Sequence, residues 1–589
     1  MKNIAIYITV LLMIISCNDD SLNRYPLTSI SPQTFWNSEN DLKVYNNNFY
    51  NYAKSNAMRL LNGNHESATR DGQYSLDGMT DNDARALGNN AAHVRIRAGQ
   101  INSESNPISF GWNNTCFEFV RSINIGLANY DRADIEENVI EQYKAEARLF
   151  RGWVVADKVS LYGDYPWIEQ ELNINSEELY APRTPREEVM EKVLADLDFA
   201  VANLPEDWGQ GSPGRLNKWC ALLIKSRICL FEGTWRRYHG GDNPEKWLTA
   251  AADAAKELID NGPYKLYSTG DPVHDYNAIF QMNDLTDVDE VMYWRRYEPG
   301  VIENSWQIYY YMSTATKDAV EDYLCTDGLP VSLSPLYEGD EFFEDVFKNR
   351  DPRLRQTVLH PDDVEYYNYG NFGELGLKIP RLVGMVTTGS WVSVTGYHQV
   401  KHVNQEQNQN FHNGYTPSVI LRFGEALLNY AEAKAELGTL TQDDLDISIN
   451  LLRDRVGMVH MDLNNIPVDP RYVDDGVSPL LVEIRRERRI ELFGEGFRFD
   501  DIRRWHQGDK MTKKDYGIHW DEANRQRIDP NNSTQLRFEE FENTGKIYIC
   551  PNKGSDFEFP VFEERHYLWP IPVSARSQNP NLGQNPGWE

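Results

Sequence analysis

Glu483-Ile484-Arg485-Arg486-Glu487-Arg488-Arg489-Ile490-Glu491-Leu492-Phe493-Gly494-Glu495-Gly496-Phe497-Arg498-Phe499-Asp500-Asp501-Ile502-Arg503-Arg504-Trp505 sets guanidinium and carboxylate groups among Ile, Leu, Phe and Trp. Such a mixture enters a core only if the charges pair, because an unpaired buried ion is costly and a fork-to-fork pair is not. Read as catalysis, the carboxylates are an acid/base couple. Read as nucleic-acid recognition, the arginines are phosphate clamps. Read as structure, the stretch is an ion-pair lattice that locks the end of a helix onto the rest of the chain. The lattice is the favoured reading, since ion-pair lattices also perturb carboxylates without catalysing anything.

Outward from this stretch, the apolar periodicity is helical over most of the chain. Tyr143, Ala147, Phe150, Val154 and Leu161 recur at steps close to 3.6 and stop at Gly163. Thr184-Pro185-Arg186-Glu187 reads as a capping box ahead of Val189, Val193, Leu197, Ala200 and Leu204. Further helices are predicted from Ser38 or Asn40 toward Tyr50, from Trp112 to Tyr130 and from about 217 to 232. Others carry Trp247, Ala251, Ala254 and Leu258, then Ile420, Phe423, Leu427, Tyr430 and Leu437, then Leu445, Ile449, Leu452 and Val456. Paired amphipathic helices with Ala at contact positions predict a mainly α chain built as a tetratricopeptide-like array with insertions.

Two stretches break that pattern. Residues 62–111 are rich in Asn, Gly, Asp, Ser and Arg and read as a long polar loop, the kind that carries function. Residues 264–415 lose helical periodicity and collect Pro, Gly and aromatics. The expected organisation is a leader over 1–16 and one domain over 17–589. Its helical scaffold lies at about 38–262 and 417–505, its loop-rich insert at about 263–416 and its irregular C-terminal part at about 506–589.

Composition narrows the function classes. The 589 residues carry a formal net charge of −30, which repels phosphate backbones and disfavours nucleic acid as a partner. Aromatics are 12% of the chain, with 15 Trp and 32 Tyr, enough to supply flat faces for sugar rings as well as a core. At the N-terminus, Lys2-Asn3 precede an apolar run from Ile4 to Ile15, too short to span a bilayer. It ends in Ile14-Ile15-Ser16-Cys17, which resembles a bacterial lipobox with Cys17 as the acylated first mature residue. The other five cysteines, Cys116, Cys220, Cys229, Cys325 and Cys550, are widely spaced and fit neither a disulfide framework nor a zinc site.

The opening stretch resembles the C-terminal signature of the SusD/RagB family, the cell-surface glycan-binding lipoproteins of Bacteroidetes. The residues that carry it are Arg485, Glu487, Arg488, Glu491, Leu492, Glu495, Gly496, Arg498, Asp501, Arg503, Arg504 and Trp505. Phe35-Trp36 and Asp41-Leu42, spaced from Pro26, are similar to the family's N-terminal motif. Ala145-Glu146-Ala147-Arg148 through Trp153, with Gly152 at a place usually held by Ala, and Leu161-Tyr162-Gly163-Asp164-Tyr165-Pro166 resemble two more. Arg350-Asp351-Pro352-Arg353-Leu354, the run Ile420–Gly438 and the closing Leu568-Trp569-Pro570 and Asn579–Trp588 complete a resemblance that covers essentially the whole mature chain.

What the resemblance implies is capture of oligosaccharides at the cell surface and their delivery to a TonB-dependent outer-membrane transporter of the SusC type, with a lipid anchor at Cys17. Loop position and residue type nominate Trp306, Tyr309, Tyr310 and Trp391 for stacking on sugar faces. Arg70, Asp81 and Asp83 are nominated for polar contacts with hydroxyls. No cofactor or metal is expected: G-x-S-x-G, H-E-x-x-H, Walker A and zinc spacings are missing from the sequence, and the 12 histidines are scattered. Two alternatives stand beside the receptor: a surface glycoside hydrolase, whose paired carboxylates leave no reliable trace in one sequence, and a structural subunit of an outer-membrane complex.

Overall fold

The computed structural model describes residues 35–589 apart from 55–56, 60–72, 85–91, 105–110, 304–313, 364–381, 383–392, 407–413 and positions 210, 213, 361, 405 and 556. The mainly α expectation holds. Helix α1 (Glu39–Lys54) and α2 (Asn114–Asn129) pack on each other and on α3 (Glu137–Tyr162). Helix α3 pairs with α4 (Arg186–Asn203), and α5 (Lys218–His239) with α6 (Pro244–Asn261). After the insert, α7 (Phe423–Glu436) returns to lie on α6, followed by α8 (Ile449–Arg455), α9 (Pro479–Glu491) and α10 (Arg498–Arg504).

The pairs are held by an apolar seam running through Leu149, Phe150, Leu197, Leu223, Trp247 and Leu427, all buried. At Gly233 of α5 an added Cβ would lie 2.8 Å from the Leu248 side chain, so only glycine lets α5 and α6 approach this closely. At Gly152 it would sit 3.4 Å from Leu197, ordinary contact, so alanine and glycine both fit between α3 and α4.

Local chemistry sets the helix ends, in places differently from the expectation. Ser38 caps α1, and its hydroxyl and backbone N–H both donate to Asp41. Asn217 caps α5 through Cys220 N–H. The Thr184 capping box does not form: Thr184 is drawn into a β-bridge with Tyr165, and Asp164 accepts from Arg186 N–H at 2.8 Å in its place. Ile420 belongs to a strand, and α7 starts only at Phe423. The helix expected across Leu445 to Val456 is broken in two at Ile447-Ser448.

Strands are short. Among the described residues β1 (Asp83–Ala84) pairs with β3 (Thr314–Ala315), β2 (Val291–Arg295) with β4 (Ser418–Arg422), and β5 (Phe538–Glu540) with β6 (Ile547–Ile549), all antiparallel. The described parts of the polar stretch 62–111 are more than a surface loop. Leu76, Met79 and Ile96 enter a core with Leu161, Phe499, Trp569 and Trp588. A further core joins the insert to the C-terminal part through Tyr323, Val358, Tyr397, Ile518 and Ile549. The five cysteines from Cys116 onward are free thiols, as their wide spacing suggests, and all are buried; no helix among the described residues is long and apolar enough to cross a membrane.

Candidate functional site

The stretch read first is a structural ion-pair lattice. Glu491 is fully buried and accepts from Arg455 at 2.7 Å, Arg422 at 2.8 Å and Arg353 at 3.1 Å. Glu495 receives Arg422 and Lys401, Glu487 receives Arg453, and Glu432 receives Arg504 together with the Trp505 indole N–H. Each of these carboxylates faces cations inside the protein, an arrangement that ties α7, α8, α9 and the insert into one joint.

One arm of the lattice reaches the segment 77–83. Arg498 forks onto Asp81 at 2.8 and 2.7 Å, Arg489 donates to the Asn82 side chain at 2.8 Å, and Gly494 N–H donates to Asp77 at 2.8 Å. That segment in turn holds β3. Thr314 N–H donates to the Asp83 carboxylate at 2.8 Å, Thr314 Oγ1 to the Ala84 carbonyl at 2.7 Å, and Thr316 Oγ1 to the Asp81 carbonyl at 2.6 Å. Beside it, Ala315 N–H donates to the Tyr397 carbonyl, Thr395 Oγ1 to the Ala315 carbonyl, and Ile518 N–H to the Thr395 carbonyl. A Cβ at Gly517 would lie 2.1 Å from that Thr395 oxygen, so this position admits glycine alone.

These contacts bring together the roots of several segments. Ala84 opposite Thr314 places the chain entering 85–91 beside the chain leaving 304–313. Thr314 also bridges to His398, and Leu382 to Ser393 across the ends of 383–392. Trp306, Tyr309, Tyr310 and Trp391 belong to segments that spring from this footing; they lie outside the described residues, as does Arg70. Asp81 and Asp83 lie in the footing itself, 3% and 1% exposed. The contacts with ligand hydroxyls expected of these two are replaced by contacts with Arg498, Arg489 and Thr314, because a buried carboxylate needs its charge and lone pairs met within the protein.

Electrostatics separate the carboxylates of the footing. Burial pushes the Asp81 pKa up, and the Arg489 and Arg498 guanidiniums more than offset it, leaving about 2. Asp77 is buried and forms no ion pair among the described residues, and burial raises it to about 6 against the hydrogen bonds from Asn82 and Gly494 and the charge of Lys401. A carboxyl raised in the folded state binds its proton more tightly than in the unfolded chain, so its contribution to stability falls as pH climbs from about 4 to about 6. Asp77→Asn is expected to remove that decline. Unfolding midpoints measured from pH 4 to pH 7 should show the variant gaining about 3 kcal/mol relative to the parent as pH rises.

A separate surface groove of about 1160 Å³ opens between the α3–α4 connection and the C-terminal part, lined by Trp112, Phe117, Ile168, Leu172, Ile174 and Tyr180. Ile174 is 88% exposed and Tyr180 58%. The sequence alone does not reveal this groove, because its walls come from three separate places, the chain entering α2 at 112–121, the non-periodic stretch 166–181 and residues 575–582, which meet only in the fold.

Comparison with known proteins agrees with this architecture. A family model described as the SusD family matches residues 277–588, and one described as "Starch-binding associating with outer membrane" matches residues 27–230. The chain is 24% identical to SusD-like protein P25 of Formosa agariphila over 47% of its length, a match that spans half of that relative. It is 22% identical to a SusD-like protein of Bacteroides ovatus across 98% of this chain and 96% of the relative. The crystal structure of a SusD-like carbohydrate binding protein from Bacteroides fragilis superposes with a TM-score of 0.72 at 22% identity, covering 93% of this chain and all of the other. With the family model spanning more than half of its residues, the lattice in place and the helix pairs in order, this chain belongs to the SusD/RagB family.

Proposed function

We propose that this protein is a glycan-binding lipoprotein of the outer-membrane surface, held by lipid at Cys17, which captures oligosaccharides without cutting them and passes them to a SusC-like TonB-dependent transporter. One observation carries the reading: the segments that contain Trp306, Tyr309, Tyr310 and Trp391 spring from one footing, formed by Ala84 opposite Thr314, His398 beside it and Leu382 opposite Ser393. Aromatic side chains of this kind suit the apolar faces of sugar rings, and Arg70 is the polar partner proposed for sugar hydroxyls. The membership of the chain in a family that includes a carbohydrate binding protein supports the same reading.

The test is calorimetry of the mature protein against a panel of neutral and acidic oligosaccharides, paired with a reducing-end assay. Binding without release of new ends is expected, with Trp306→Ala and Trp391→Ala each weakening it roughly tenfold or more, about 1.4 kcal/mol. Tyr180→Ala, in the groove on the helical scaffold, should leave affinity unchanged. Sustained turnover that a single Asp or Glu substitution abolishes would establish the glycoside hydrolase instead. Stable association with the transporter and no affinity for any glycan would establish the scaffold subunit.

A further inference from the structure

We propose that His239, His506 and Glu564 form a site for one divalent transition-metal ion of the zinc class. Three parts of the chain meet there. His239 is the last residue of α5, His506 follows α10, and Glu564 opens a short turn, Glu564–Tyr567, in the C-terminal part. One ligand atom from each residue lies within 4.8 Å of the other two.

The rings are positioned for this. His239 stacks on Trp235 at 3.8 Å, nearly parallel, and donates Nε2–H to the Arg503 carbonyl at 2.8 Å. That bond fixes the tautomer and leaves Nδ1 with the lone pair, the arrangement in which a histidine serves a metal through one nitrogen and a backbone carbonyl through the other. His506 stacks on Tyr567 at 4.5 Å and already approaches Glu564, its Nε2 3.2 Å from a carboxylate oxygen. Its backbone is left-handed, φ 56°, a conformation that a non-glycine residue adopts at some cost. The guanidiniums of Arg186 and Arg503 close by oppose added positive charge at His239, and their partners Glu232 and Asp500 are shared with Arg236 and Arg59, so the Glu564 carboxylate supplies the anionic charge of the site.

Two imidazoles and a carboxylate suit zinc and its neighbours in the first transition row better than calcium or magnesium, which take oxygen ligands. Ligand atoms at zinc bond lengths of about 2.0–2.1 Å stand about 3.3 Å apart in a tetrahedron. The contraction this requires falls to the His506 and Glu564 side chains, which are 40% and 78% exposed. Three protein ligands leave a position for water or for a group from a partner. A bound ion would pin the end of the helical scaffold to the C-terminal part.

The experiment uses the untagged mature protein freed of metal with EDTA. Cobalt(II) titration should develop the visible absorption of a low-coordinate site with one ion per chain, and zinc(II) should displace it. Zinc should also raise the unfolding temperature. His506→Ala and Glu564→Gln change exposed side chains, so they should fold as the parent does, and each should weaken zinc binding by roughly tenfold or more. His239→Ala also unpacks Trp235 and is the less informative variant. No ion bound at about 100 µM metal, or zinc binding that both exposed variants leave intact, would overturn the proposal.

Discussion

Glu491→Gln is expected to lower the unfolding free energy by about 3–5 kcal/mol, the cost of taking one partner from a buried ion pair. The carboxylate is wholly inside the protein, and it serves Arg455, Arg422 and Arg353 together. Its pKa is pushed up by burial, yet those three guanidiniums drive it far below the ordinary carboxylate range, so it is ionised under all working conditions. Glutamine keeps the shape and some hydrogen bonding and removes the charge, so Arg353, Arg422 and Arg455 lose their common counter-ion and are left to share Asp351, Glu487, Glu495 and Glu290. Chemical denaturation read by tryptophan fluorescence should show the midpoint falling. A midpoint within about 0.5 kcal/mol of the parent would mean that the lattice contributes little to cohesion.

Asp81→Asn is the second large effect, and it reaches beyond stability. Among the ion pairs of the footing, Arg498 is matched to Asp81, whereas Arg489 also has Asp318 and Asp322. Losing the Asp81 charge leaves the buried Arg498 guanidinium uncompensated, with an expected cost of about 3–5 kcal/mol. Because the Asp81 carbonyl accepts from Thr316 and Asn82 pairs with the same strand, the disturbance should pass to β3 and weaken oligosaccharide binding as well. The double variant Asp81→Asn with Arg498→Met removes both charges and should recover a good part of the lost stability. Double-mutant analysis by denaturation and calorimetry measures the coupling. Additive losses would show that the two side chains act independently.

How much of this was legible in the residues follows from distance along the chain. The lattice was legible because alternating Arg and Glu among Ile, Leu and Phe in 483–505 can enter a core only as paired charges. The helix pairs were legible from periodicity, which is local. The partners of the arginines were not, since Arg498 meets Asp81 across 417 positions and Asp83 meets Ala315 only through strand pairing. Asp81 and Asp83 looked like ligand-binding acids for that reason. Their surroundings in sequence are polar and irregular, and the guanidinium and the strand that claim them come from elsewhere. The same limit applies to helix starts: Thr184 has the right neighbours for a cap, but the bridge to Tyr165 commits it to another geometry.

The inward placement of so many arginines also shapes how the molecule looks from outside. Within the described residues, buried cations and buried acids nearly balance, so the excess of acids that those residues contribute to the net charge of −30 lies in the outer skin. Two copies approaching one another would repel over a range set by dissolved salt, about 8 Å at 0.15 M. On the receptor role proposed above, a sulfated or uronic polymer approaching that skin would be repelled as well, so neutral oligosaccharides are expected to bind more tightly than acidic ones in the calorimetric panel.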